Sequence, residues 1–371
     1  MVAFEWQNLR PRLLIACLLL SGCASGGARS AIDQQDYASQ AYYRTAMPTW
    51  DVSGDLEQTL SAVLRVQVQG FYDTYVFEEN AAPTIDELRG DDSDVLSRSS
   101  DEDTSTLTRA ATAVLIGSVG GRGTLVTTEH GITLPDTTIA FFGSEDLSQS
   151  GTPKIQTVSI KRDQTNSVIA PDFVEPFEVL GTNPESDLAA IGIEFPVGEN
   201  LSGATLPGGA RTLLARQNEI PAIRLDAGEP QRLSWGSMVY ILGHPAGQQM
   251  ITRGIVSRPD LGSPDQFLTD GLLNEGSSGA PILAVRGDSE ALEWVGVARA
   301  AASRTEYRLE PRAEPNQAPQ PQRLYDGPIY LSQSDVIRYG ITFSIPITEV
   351  RAFFLTLRPW LEAMGYPIPE L

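Results

Sequence analysis

His130, Asp187 and Ser278 are the residues whose types could do chemistry together. His130 closes a strand-like run, GTLVTTEHG, and is one of only two histidines in the chain. Asp187 stands in NPESDLAAI, directly after turn residues and at the head of an apolar segment. Ser278 lies in NEGSSGAPIL, where two serines sit between glycines and a proline leads into aliphatic residues. That last pattern reads as a tight turn feeding a core strand. A serine hydroxyl is a poor nucleophile until an imidazole accepts its proton, and a carboxylate holds that imidazole in the right tautomer and stabilises it when charged. Charge developing on an oxyanion needs N–H donors already in place, and Gly276 and Gly279 let the backbone aim them. Asp136 is the nearest alternative partner for the histidine. His244, in the turn Gly243-His244-Pro245, reads as structural. Two separated histidines and no free thiol leave too few ligands for a metal site, and nothing in the sequence asks for a cofactor.

The elements that would position these residues are mostly short strands. Ala113–Ile116, Thr124–Thr127, Ile139–Phe142, Gln156–Ile160, Leu188–Ile193, Met238–Leu242, Gly254–Ser257, Pro281–Val285 and Trp294–Val297 are β-branched or aliphatic runs separated by Gly, Pro, Asp and Asn. Many short strands and few helices argue for an all-β barrel or sandwich. Near the start, Leu56, Leu60, Val63, Leu64 and Val68 recur close to helical spacing, which predicts a helix over at least the first half of 55–77. Residues 83–103 are acidic and poor in apolar side chains, as expected of an exposed loop. The Pro/Gln-rich stretch 310–322 reads as a surface loop. Ile347–Met364 is amphipathic, with Val350, Phe353, Phe354, Leu357, Trp360 and Leu361 on one side, and predicts a closing helix.

Read in order, these segments resemble the trypsin-like serine proteases of chymotrypsin fold, and most closely the bacterial HtrA/Deg-type branch. LVTTEHGI resembles the strand that carries the family's histidine, and NPESDLAAIGIE its turn-Asp-Leu-Ala motif. WGSMVYILGHPAG followed by TRGIVS is similar to the segment entering the second barrel. FLTDGLLNEGSSGAP is similar to the nucleophile loop, and GITFSIP to the last strand. The resemblance implies two six-stranded antiparallel β-barrels flanked by an N-terminal and a C-terminal helix. It implies His130 as general base, Asp187 as its orienter, Ser278 as nucleophile, and the N–H groups of Gly276 and Ser278 as the oxyanion hole. Departures are Ala280 where a second glycine is usual, Glu129 before the histidine, and Ser277 where zymogen-activated enzymes have aspartate. No segment after the closing helix matches the PDZ domain many HtrA-type enzymes carry. Leu272, Leu273, Ala298 and Ala300 suggest a modest apolar pocket for small or aliphatic side chains. The implied function is serine endopeptidase; the alternative is an inactive protease-fold protein that binds peptides or envelope proteins.

The N-terminus belongs to a different category. Arg10 and Arg12 precede the apolar run 13–20 and then Ser21-Gly22-Cys23-Ala24. A basic start, a short apolar stretch and small residues describe a secretory signal, and the apolar run is too short to span a bilayer comfortably. LSGC resembles a bacterial lipobox, which implies cleavage before Cys23, a diacylglycerol on its thiol and a membrane anchor through it. Cys17 would leave with the signal, so the mature protein would hold no thiol for a disulfide. Ala24 implies sorting to the outer membrane, facing the periplasm. The resulting organisation is a signal at 1–22, a flexible tether at 23–53, a helix and acidic loop at 54–104, and a protease domain at 105–371. Within that domain the first barrel is expected near 105–205, the second near 225–346 and the closing helix at 347–364. A net charge of −20 excludes nucleic acid as a partner, because phosphate binding needs a basic face. Protein or peptide substrates fit, and the sequence does not specify an oligomeric state.

Overall fold

The computed structural model describes residues 42–90, 94–142, 154–195, 221–262, 266–289, 291–311 and 329–367. The signal at 1–22, Cys23 and the tether to residue 41 lie outside the described residues. The expected tether ends earlier than its composition suggests. Tyr43 is completely buried against the second half of the molecule. Its hydroxyl donates to Glu293 Oε2 at 2.8 Å and accepts the Glu229 amide at 2.7 Å. The neighbouring Arg44 amide donates to the Val285 carbonyl. A tyrosine whose ring is buried and whose hydroxyl is doubly bonded fixes the chain there despite small, polar neighbours.

After helix α1 (Ser53–Leu60), strand β1 (Val63–Val76) begins the first barrel, followed by β2 (Asp101–Val119), β3 (Arg122–Thr128), β4 (Thr137–Phe141), β5 (Ile155–Ala170), β6 (Phe173–Asn183) and β7 (Leu188–Glu194). The hydrogen-bonded ring runs β1–β2–β3–β7–β6–β5 and closes through β5 onto β1, with β4 added on the edge of β5. The second barrel is the closed ring of β8 (Met238–Gly243), β9 (Met250–Arg258), β10 (Phe267–Thr269), β11 (Pro281–Val285), β12 (Leu292–Pro311) and β13 (Ile329–Pro346), ordered β10–β13–β12–β11–β8–β9. All pairings of the named strands are antiparallel. The expected architecture of two six-stranded antiparallel barrels with few helices is what the chain adopts; eight of the nine anticipated strand segments lie wholly in strands, and Ile139–Phe142 runs one residue past β4.

Two expectations about residues 54–104 need correction. The helix stops at Leu60, and the residues from Val63 to Val76 are strand. Leu64, Val66 and Val68 are buried while Arg65, Gln67 and Gln69 between them are not, which is the two-residue period of a pleated strand. Ladders with β2 on one edge and β5 on the other outweigh the partial helical spacing. The acidic stretch also ends differently: after the short helix α2 (Ile85–Arg89), Asp101–Thr106 pair with Val76–Phe71, so the first barrel begins near residue 63 and not near 105.

Three of the four apolar clusters among the described residues hold this arrangement. Val66, Val68, Leu115, Leu125 and Ile191 fill the first barrel, and Val239, Ile241, Val256, Phe267 and Ile282 the second. Between the barrels, Val114, Val126 and Leu188 meet Leu242, Leu283 and Trp294, and helix α3 (Ile347–Met364) lays Ile347, Val350, Phe353, Phe354 and Leu361 onto the same cluster. The closing helix thus occupies its expected span. Trp360 is 41 % exposed, because at about 100° per residue it falls at the edge of the buried stripe. A shared core of this kind locks the two barrels together, so residues from each can meet at fixed distances.

Candidate active site

The site lies where the barrels join. His130 enters on a single helical turn, Glu129–Ile132, that ends β3. Asp187 caps the turn between β6 and β7, where the Asn183 side-chain oxygen accepts the amides of Glu185 and Ser186 and so stops β6. Asp187 itself has φ of 57°, a left-handed conformation that aspartate tolerates better than most residues. This places its carboxylate beneath the imidazole. Oδ2 accepts from His130 Nδ1 at 2.8 Å and Oδ1 accepts the His130 backbone amide at 3.0 Å. His130 Nε2 stands 3.1 Å from the Ser278 hydroxyl. The first barrel therefore supplies acid and imidazole, and the second supplies the alcohol.

Burial by itself would push the Asp187 carboxyl up. Hydrogen bonds from the His130 ring and amide, the charge of His130 and the Arg299 guanidinium outweigh that, and the group is held below the usual carboxylate range. Asp136, the alternative orienter, is highly exposed and pairs with Lys161 at 2.8 Å. The Glu129 carboxylate accepts the Thr133 hydroxyl at 2.8 Å, one turn along its own segment. His244 is buried without a partner for Nδ1 among the described residues. Burial, then the nearby Arg65 charge, lowers its pKa to about 4, so it is a neutral structural ring.

The loop that presents Ser278 is shaped by its glycines. Gly276 has φ of 94° and Gly279 of 92°. A methyl group on Gly276 would stand 2.5 Å from the His244 carbonyl oxygen, and one on Gly279 1.9 Å from that of Thr112. No side chain fits at either position. The Glu275 carbonyl accepts the Ala246 amide at 2.8 Å, and the Ser277 carbonyl accepts the Ala280 amide at 3.0 Å. In a trans peptide the N–H points opposite the C=O. The amides of Gly276 and Ser278 are thereby turned away from those partners, and neither has a hydrogen-bond acceptor among the described residues. Ala280, the departure from a second glycine, is fully buried in the second-barrel core; Gly243 leaves it room, since a Cβ there would lie 3.1 Å from the Ala280 methyl.

Two residues that sequence reasoning missed hold this geometry. Thr112, fully buried on β2, binds the loop that bears Ser278 across the barrel junction. Its amide donates to the Ser278 carbonyl at 2.8 Å, its hydroxyl donates to the Gly276 carbonyl at 2.7 Å, and the same hydroxyl accepts the His244 amide at 3.0 Å. Arg299 on β12 donates through Nε to Asp187 Oδ2 at 2.9 Å. Neither lies in a motif, so only the pairing of distant strands could have found them. Of the residues expected to line a pocket, Leu272 is exposed and Ala300 partly so, whereas Leu273 and Ala298 belong to the second-barrel core. No cluster of histidine, cysteine or carboxylate side chains fit to hold a metal occurs among the described residues.

Two closed antiparallel barrels that align a carboxylate, an imidazole and a serine at their junction define the class of chymotrypsin-like folds. Residues 111–292 match the sequence model of the trypsin-like peptidase domain. That match contains His130, Asp187 and Ser278, and the barrels extend beyond it to β1 on one side and β13 on the other. Similar solved structures include the serine endoprotease from Yersinia pestis, at 14 % identity and a TM-score of 0.39, covering 84 % of this chain and 68 % of that one. Another is the HtrA-type protease AlgW with a decapeptide, at 17 % identity and a TM-score of 0.41, with coverage of 84 % and 68 %. No curated protein matches the chain.

Proposed function

We propose that this protein is an active serine endopeptidase of the bacterial cell envelope. The observation that carries the reading is the unbroken line from Asp187 through the His130 ring to the Ser278 hydroxyl, at 2.8 and 3.1 Å. Both distances suit hydrogen bonding. In the proposed reaction His130 Nε2 takes the Ser278 proton as Oγ bonds to the scissile carbonyl carbon. The resulting imidazolium is stabilised by Asp187, and the free amides of Gly276 and Ser278 receive the negative charge on the former carbonyl oxygen. Collapse of that intermediate passes the proton to the leaving amine and leaves an acyl-enzyme, which water hydrolyses by the same route. The substrate class is protein or peptide, and the mechanism needs neither cofactor nor metal.

The LSGC motif supports a lipid anchor at Cys23 and a position facing the periplasm from the outer membrane. Tyr43 is clamped to the second barrel, so an anchor at Cys23 would tether the catalytic domain by a stretch of about 20 residues.

A fluorophosphonate probe tests the reaction. Labelling of the purified protein that disappears in Ser278→Ala is expected, with proteolysis of an unfolded substrate falling by about 10⁴–10⁶. Equal labelling of the variant, or peptide binding without any cleavage by the native chain, would overturn the reading in favour of a binding module.

A further inference from the structure

Asp187 Oδ2 carries two donors: His130 Nδ1 at 2.8 Å and Arg299 Nε at 2.9 Å. Arg299 reaches it because β12 bulges. Ala298 pairs with Ser344 and Ala300 with Phe343, leaving Arg299 as the extra residue between them. A bulge beside a site re-aims a side chain that a regular strand would point elsewhere. The residue before it is tied to the nucleophile loop, since Ala298 donates its amide to the Ala280 carbonyl and accepts the Gly279 amide, both at 2.8 Å. A short rigid path therefore runs from the loop that bears Ser278, through Ala298 and Arg299, to the acid on the other barrel.

We propose that Arg299 is a positioning residue that fixes the Asp187 carboxylate across the barrel junction. The proposal deepens the peptidase reading and rests on it for its catalytic consequence. Geometrically, an ion pair on the same oxygen leaves the carboxylate one orientation, the one that also serves the imidazole. Around the ring the other charged groups are few. Arg109 on β2 donates to the His130 and Thr133 carbonyls at 2.9 and 2.8 Å, and Glu129 on the same short helix is occupied by Thr133. Arg299 is the cation that shares the ring's own partner.

The test does not depend on turnover alone. The chain has two histidines, so ring resonances of His130 can be followed by proton NMR and assigned with a His244→Asn variant. In Arg299→Gln the resonance of the Nδ1 proton that His130 shares with Asp187 is expected to shift or broaden, because the carboxylate loses the second donor that fixes it. The value of kcat should fall about ten- to a hundredfold with KM nearly unchanged. Arg299→Lys, which loses the planar fork, should restore only part of kcat. An Nδ1 proton resonance in Arg299→Gln identical to that of the native chain, or a kcat equal to the native one, would overturn the proposal. Should Arg299→Gln fail to fold, the lysine variant decides by the same criterion. A changed resonance in a protein that never labels with fluorophosphonate would sink the peptidase reading and leave the positioning tie standing.

Discussion

Thr112 offers the sharpest quantitative check of how the site is held. It lies on the first barrel with no solvent exposure, yet all its side-chain hydrogen bonds are made to the second. Thr112→Val preserves shape and removes the hydroxyl. Two buried backbone groups then lose their partner: the Gly276 carbonyl, bonded at 2.7 Å, and the His244 amide, bonded at 3.0 Å. Each buried group left unsatisfied costs about 1–3 kcal/mol, so the expected loss of stability is about 2–6 kcal/mol. The Gly276–Ser277 peptide, which links the two peptides that carry the Gly276 and Ser278 amides, also loses one of the contacts that hold its orientation. Complete loss of one oxyanion donor lowers kcat by about 10²–10³, which sets the ceiling, and a loosened donor should cost about ten- to a hundredfold. KM should stay within about twofold, because Thr112 is buried away from any substrate. Urea denaturation and initial rates on a fluorogenic peptide read both effects, with Thr112→Ser as the control that keeps the hydroxyl. If Thr112→Val unfolds within about 0.5 kcal/mol of the native chain, the range of an ordinary surface change, and keeps its kcat, then the hydroxyl does not hold the loop.

Two further outcomes follow from particular residues. His244 has its pKa lowered to about 4, so between there and its ordinary value near 6.5 the unfolded chain binds a proton that the folded one refuses; stability from this residue is lost as pH falls through that window, by at most about 3 kcal/mol. His244→Asn should therefore lose less stability than the native chain between pH 7 and 4.5, whereas Asp187, whose carboxyl is held low, contributes stability that is lost only as pH falls below about 4; parallel urea midpoints for variant and native chain across 7 to 4.5 would contradict this. Cys23→Ser should abolish lipid attachment and release the protein from membrane fractions, and membrane retention of an unmodified Cys23→Ser protein would rule out this anchor.

Much of the architecture was legible because its signals are local. The nine strand segments, the closing helix at 347–364 and the glycine-framed turn around Ser278 each follow from side-chain periodicity or from conformations that only certain residues adopt. His130 stood out because the chain has only two histidines, and Asp187 and Ser278 because each sits on a turn that leads into an apolar strand. β1 was not legible: Leu60, Val63, Leu64 and Val68 satisfy a helical count, while Leu64, Val66 and Val68 satisfy a strand count. Strand won through ladders on both edges, from β2 and β5, which no window of the chain contains. The anchoring of Tyr43 escaped for the same reason, since its partners Glu229 and Glu293 are far along the chain.

The amino-acid order by itself determined which residues could react, where the turns fall and which faces must be buried, since sterics and hydrophobic periodicity act over a few neighbours. Only the tertiary structure decided that Thr112 grips the Ser278 loop and that a bulge in β12 turns Arg299 onto Asp187. Those contacts join residues on opposite barrels, and the shared apolar core that docks the barrels sets their distances.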